Sequence, residues 1–316
     1  MTTVTKNVKI SGVGIHSGLP VDMVIKPSKK LGIFFKRVDI PNSEFIPATY
    51  DNVGETLMRN TTIGNPKGVH VQTIEHLMAA LFLVGIDSAI IEINGKETPI
   101  LDGSAFEFYK MFEPIIDGKP NMKRIIVKKT IVATRNELAK QMPFWKRIKT
   151  TILNHTIGRK GNGYVKLLPN EKGLKIDATL VYPDKIIGTQ SFSCNLDGTK
   201  ASVKKFVDNV SKSRTFGKYA EWEWLKKHGM GRGANENNVI ALNETGDGTI
   251  NKLYYPDEFV RHKIIDAVGD MFTSGGFIYG WVQSYKGSHA LNNLLLRKLF
   301  SDKSNYEIIE PKGEKK

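Results

Sequence analysis

The sequence predicts an α+β protein, and three patterns carry that reading. Between residues 8 and 93, short β-rich runs (21–26 and 32–37) precede one strongly apolar helix candidate at 71–84, which is followed by a strand at 88–94. This order lacks the regular strand–helix repeat of a parallel sheet. Residues 116–122, Ile-Asp-Gly-Lys-Pro-Asn-Met, form a turn-rich break. After it the pattern restarts, with strands at 124–132 and 173–181 and helices at 256–272 and 290–300. A chain of 316 residues exceeds what most single cores support. We therefore divide it at the break, near Asn121, into domains of residues 1–121 and 122–316.

Apolar residues make up 40% and charged residues 25%, the balance of a globular chain. The longest apolar run, residues 77–86, is about half of the roughly 20 residues that a membrane-spanning helix needs. The N-terminal Met-Thr-Thr-Val-Thr-Lys has no apolar core of a secretory signal, so a cytoplasmic protein is expected. Lys and Arg outnumber Asp and Glu by 46 to 32, a net charge of +14. That excess favours an anionic partner: a phosphorylated substrate, nucleic acid or acidic lipid. The basic residues are scattered, without an aromatic-interleaved recognition motif, so nucleic acid is not expected. Cys194 is the sole cysteine. A disulfide within the chain and a thiolate metal cluster are excluded, and any metal must use His and carboxylate.

Residues 12–18, Gly-Val-Gly-Ile-His-Ser-Gly, lack the spacing of a dinucleotide fingerprint and the ending of a nucleoside-triphosphate loop. A tight hairpin is expected there. In the first helix, Glu75 and His76 interrupt a run that is otherwise apolar nearly all round. A buried carboxyl needs a metal, a proton-transfer role or an ion-pair partner. On the later helix, at about 100° per residue, His262, Asp266 and Asp270 share one stripe opposite Val260, Ile264, Ala267, Val268 and Met271. A His and a carboxylate four residues apart can share a divalent cation. On spacing alone, a solvated polar face is the ordinary explanation. His289 stands where a Gly-containing loop enters a helix, which can aim a side chain into a cleft, although a lone His is more often structural. Residues 213–217 read equally as a turn.

These pieces, in this order, resemble the UDP-3-O-acyl-N-acetylglucosamine deacetylase family, zinc enzymes of lipid A biosynthesis. The likeness runs through Ser11-Gly-Val-Gly-Ile-His-Ser-Gly, Val71-Gln-Thr-Ile-Glu-His-Leu-Met-Ala-Ala-Leu and Glu97-Thr-Pro-Ile-Leu-Asp-Gly-Ser-Ala. It continues through Ser213-Arg-Thr-Phe-Gly, Asp257-Glu-Phe-Val-Arg-His-Lys-Ile-Ile-Asp-Ala-Val-Gly-Asp and His289-Ala-Leu-Asn-Asn. The resemblance implies two similarly built domains, each a helix layer on a sheet, with the active site at their interface. It implies that His76, His262 and Asp266 hold Zn²⁺ with a fourth position open, and that Glu75 is the general base. Thr215 and the imidazolium of His289, oriented by Asp270, would meet the oxyanion formed from the acetamide. Lys263 and Lys286 match positions near the diphosphate of a UDP-linked acylated amino sugar, and Phe216 one that packs against substrate. Ser288 departs from the family pattern, which commonly has Gly before the His. A zinc hydrolase of the same fold acting on a different acylated amine is the alternative.

Residues 136–163 fall outside the likeness. They carry six basic residues, Lys140, Lys146, Arg147, Lys149, Arg159 and Lys160, against one acidic residue, Glu137. Helical spacing would gather Phe144, Trp145, Ile148 and Ile152 in one sector, with Lys146, Arg147 and Lys149 outside it, the pattern of an interfacial anchor. Thr150 and Thr151 disfavour the helix. A substrate with a long acyl chain lives at a membrane surface, and each basic residue near anionic lipid contributes roughly 1 kcal/mol. Two readings follow: peripheral contact with the cytoplasmic face of the inner membrane, or a surface excursion whose aromatics pack on the second domain. Co-sedimentation with anionic vesicles should fall for Lys146→Glu/Arg147→Glu/Lys149→Glu, most visibly at low salt. Equal binding by variant and wild type, or none by either, would end the idea.

Overall fold

A computed structural model describes residues 2–54, 60–113, 116–117, 122–141, 162–227 and 231–310. The amphipathic part of the basic segment, residues 142–161, lies outside the described residues. No helix among the described residues is long and apolar enough to cross a membrane.

Two sheets carry the α+β architecture. The first has five strands in the order Val8–Val13, Pro20–Pro27, Ser88–Ile93, Gly32–Arg37 and Ile46–Pro47. Its neighbours are antiparallel except Ser88–Ile93 and Gly32–Arg37. Along Pro20–Pro27, Val21, Met23 and Ile25 are buried and alternate with more exposed residues, so one face needs a cover. The helix Glu75–Val84, buried at every residue, supplies it. The expected hairpin is present: residues 14–19 join the first two strands, and the Glu97 carboxylate accepts from the His16 and Ser17 amides at 3.0 Å each.

The second sheet has seven strands around Phe277–Tyr285. That strand pairs with Tyr164–Pro169, Leu174–Val181 and Arg124–Val127. Ile131–Thr134, Thr189–Leu196 and Tyr306–Ile309 extend the sheet. The run 124–132 is thus two strands and not one. Its polar middle, residues 128–130, lets the chain leave the side of Phe277–Tyr285 and rejoin beyond Tyr164–Pro169. Behind the sheet lie the helices Glu258–Phe272 and His289–Phe300.

The first helix begins at Glu75 and not at residue 71. Val71 belongs to a short strand paired with Ile63, and Thr73 adopts φ 60°, a left-handed value unfavourable for a β-branched residue. Tertiary hydrogen bonds hold it there: Asn60 Nδ2 donates to Thr73 Oγ1, which donates to Glu97 Oε1. At the other end Gly85, at φ 77°, caps the helix in the left-handed conformation it tolerates best. The later helices start at Glu258 and His289. Ser288 caps the second of these, its hydroxyl accepting from the Leu291 amide at 3.4 Å.

The polar stripe of Glu258–Phe272 is not a solvated face. His262, Asp266 and Asp270 are 2%, 3% and 3% exposed, because the Glu75–Val84 and His289–Phe300 helices close over them. Close approach depends on Gly269, where a Cβ would lie 2.0 Å from the Glu75 carbonyl oxygen. Gly→Ala in an isolated helix stabilises by about 1 kcal/mol. Here Gly269→Ala should instead destabilise by about 1–3 kcal/mol through overpacking, read as a lowered midpoint of chemical unfolding. A midpoint equal to or above wild type would contradict this helix contact.

Candidate active site

Where the Glu75–Val84 and Glu258–Phe272 helices meet, the polar residues that interrupt their apolar surfaces converge. His76 Nε2 and His262 Nε2 lie 3.5 and 3.4 Å from Asp266 Oδ1. One potential ligand atom from each residue lies within 4.8 Å of the others, and all three residues are buried. The Ser213 carbonyl is 3.1 Å from His262 Nδ1. A carbonyl only accepts, so Nδ1 carries the proton and Nε2 turns a lone pair toward Asp266. Burial pushes the His262 pKa down to about 3 despite the opposing Asp266 charge, so the imidazole is neutral. Asp266 Oδ1 is itself buried, with no hydrogen-bond partner among the described residues. The His262 Nε2 lone pair and Asp266 Oδ1 thus face one another as two acceptors. Two imidazoles and a carboxylate converging in this way could hold a divalent metal ion.

Two titratable residues flank the cluster. Glu75 Oε2 accepts from the Thr61 amide at 2.9 Å. Burial lifts its carboxyl above the usual range, with His289 and His76 working against the shift. His289 Nδ1 lies 2.8 Å from Asp270 Oδ2, and its Nε2 lies 3.7 Å from Asp266 Oδ2. Burial disfavours its charge, but Asp270 and Asp266 outweigh burial and raise the pKa to about 9. The ring is therefore an imidazolium at neutral pH. Asn292 donates to the same Asp270 oxygen at 2.8 Å.

A buried ion pair sets the remaining wall. Arg214 Nε and its amide each lie 3.0 Å from Glu258 Oε1, tying the 213–217 segment to the start of the ligand-bearing helix. Thr215 is fixed by its amide to Gly103 O and by its carbonyl to the Ile240 amide. Phe216 stands edge-on to Phe259 and His262, at centroid distances of 5.1 and 6.2 Å.

Glu75, His76, Thr215, Phe216, His262, Lys263, Asp266 and His289 all line a cavity of about 140 Å³. Asp270 stands behind His289. Lys263 Nζ is engaged by Asp266 Oδ2 at 2.7 Å and lies 5.6 Å from the Phe216 ring centroid. Lys286 departs from the expected gathering: it sits at φ 49° in the turn before Ser288, its Nζ 5.6 Å from the Tyr285 ring centroid, and does not line this cavity. Part of the cavity wall is apolar, with Ile15, Ile100, Trp222, Leu225 and Val239. The Arg214–Glu258 pair was not among the candidates from sequence, nor was the Asp184–Lys218 pair (2.8 Å) in the cavity wall. In each, a segment from one part of the chain meets a distant one, which no local pattern announces.

A sequence profile of the UDP-3-O-acyl N-acetylglycosamine deacetylase (LpxC) family matches residues 1–301. The chain is 34% identical over 313 residues to the UDP-3-O-acyl-N-acetylglucosamine deacetylase of Neisseria meningitidis serogroup C, covering 98% of this chain and 92% of that relative. The enzymes of the same name from serogroups A and B match to the same extent.

Removing one member of the three-residue cluster should weaken metal binding directly. Elemental analysis should find about one divalent metal per wild-type chain, and little in His76→Ala, His262→Ala or Asp266→Ala. Full occupancy in all three variants would contradict the assignment.

Proposed function

Because the chain belongs to the UDP-3-O-acyl N-acetylglycosamine deacetylase family, we propose that its cluster holds Zn²⁺ through His76, His262 and Asp266. The enzyme hydrolyses the acetamide of UDP-3-O-acyl-N-acetylglucosamine, releasing acetate and the UDP-3-O-acyl-glucosamine used in lipid A biosynthesis. The observation that carries the metal assignment is Asp266 Oδ1, buried near two imidazole nitrogens and without a hydrogen bond among the described residues. When bound, Zn²⁺ supplies Lewis acidity, which lowers the pKa of water to about 7 and polarises a carbonyl.

The chain's own residues handle the protons. Glu75, its basicity raised by burial, takes the proton of the attacking water as general base. The His289 imidazolium, held by Asp270, and the Thr215 hydroxyl meet the oxyanion developing on the acetamide carbonyl. Glu75 or His289 then returns a proton to the leaving amine. Phe216 packs against the sugar, and the apolar wall excludes water around the acyl group. Lys263 contacts the diphosphate from within the cavity and Lys286 from outside its lining, roles suited to hydrated point charges. The division near Asn121, a cytoplasmic location and the membrane contact of residues 136–163 belong to the same proposal.

Acetate should be released from UDP-3-O-acyl-N-acetylglucosamine and not from free N-acetylglucosamine, with activity lost to a chelator and restored by Zn²⁺. Glu75→Ala should keep its metal and lose about 10²–10⁴-fold in turnover. Preferential turnover of a different acylated amine would favour the alternative substrate, and near-normal turnover in Glu75→Ala would remove that residue from the chemistry.

A further inference from the structure

Thr61 joins the two proton-handling groups of the site, although it is neither a member of the metal cluster nor part of the cavity lining. It is 2% exposed, and each of its polar groups is committed. The amide donates to Glu75 Oε2 at 2.9 Å. The carbonyl accepts from the Ile74 amide at 3.2 Å, immediately before the helix that carries Glu75. The hydroxyl is 2.5 Å from Asp270 Oδ1 and 3.2 Å from His289 Nδ1.

Donor and acceptor roles follow from the chemistry. The Thr61 hydroxyl donates to Asp270 Oδ1, so an oxygen lone pair faces His289. The Nδ1–H of His289 is thereby shared between Asp270 Oδ2 at 2.8 Å and Thr61 Oγ1. Oδ1 is anchored by Thr61 while Oδ2 serves His289 and Asn292. This fixes the carboxylate plane and, through it, the imidazole ring. Parts of three helices, bearing Glu75, Asp270 and His289, therefore take their relative placement from one residue.

We propose that Thr61 is a positioning residue for deacetylation, setting the separation of Glu75 and His289 by gripping one through its amide and the other through its hydroxyl. This rests on the roles proposed above for those two residues. A hydroxyl that merely satisfied a buried carboxylate would matter for folding and not for turnover.

The test uses the full-length metal-loaded enzyme with Thr61→Val, which keeps the amide and the branched shape, and Thr61→Ser, which keeps the hydroxyl. Thr61→Val should lose about 10–100-fold in kcat, the scale seen when a hydrogen bond supporting a site residue is removed. Its KM should stay within about twofold and its metal content should match wild type, while Thr61→Ser stays within about threefold of wild-type kcat. In a His289→Gln background most of the Thr61→Val penalty should vanish, since coupled residues are not additive. Unchanged kcat in Thr61→Val, equal impairment of Thr61→Ser, or an undiminished penalty beside His289→Gln would overturn the proposal. So would loss of metal or of folding in Thr61→Val. The downfield proton resonance of His289 Nδ1–H gives a readout independent of turnover: it should shift in Thr61→Val and not in Thr61→Ser. If the wild type released no acetate while this resonance still responded, the reaction would be misassigned and the hydrogen-bond arrangement would stand. An unchanged resonance would overturn the role of Thr61 whatever the activity.

Discussion

A carboxylate oxygen buried beside two imidazoles governs the rest of this structure. Burying an uncompensated charge costs several kcal/mol, and Asp266 Oδ1 has no hydrogen-bond partner among the described residues to offset that cost. Lys263 reaches only the other oxygen. A cation between Asp266, His76 and His262 would resolve the conflict, and several contacts hold those three residues in place. Gly269 allows the two helices to approach until a carbonyl occupies the space of a side chain. The Ser213 carbonyl fixes the tautomer of His262, and the Arg214–Glu258 pair fixes the segment that supplies that carbonyl.

The same crossing accounts for the division of labour among the acids and bases. Glu75 and His289 lie beside one cluster, both deeply buried, yet their proton affinities are set by different neighbours. Glu75 is governed mainly by burial, and a carboxyl whose pKa rises becomes a stronger base near neutral pH. His289 overcomes burial because two aspartates face it, and it holds its proton to about pH 9. A group ready to accept and a group ready to donate or to stabilise negative charge thus share one cavity. Ile15, Ile100 and Trp222 give the same cavity an apolar stretch of wall.

Much of this was legible in the chain, for identifiable reasons. Glu75 and His76 stand out because a titratable pair inside an apolar helix has few innocent explanations. His262, Asp266 and Asp270 align because helical periodicity is a local property. Their burial was not legible, since the residues that cover the stripe come from helices elsewhere in the sequence. The helix boundary at Glu75 was hidden by Thr73, whose left-handed backbone is imposed by Asn60 and Glu97 and not by its own preference. Thr189–Leu196 gave little strand signal because it is flanked on one side only and most of it is exposed or half-exposed. Thr61 could not have been found from pattern at all, being 209 residues from the Asp270 it anchors.

X-ray absorption at the zinc edge of the purified enzyme reads the cluster most directly. Two imidazole nitrogens at about 2.0–2.1 Å and carboxylate oxygen at about 2.0–2.2 Å, without sulfur, is the predicted shell. A shell lacking imidazole scattering, or one containing sulfur, would contradict a site built from His76, His262 and Asp266.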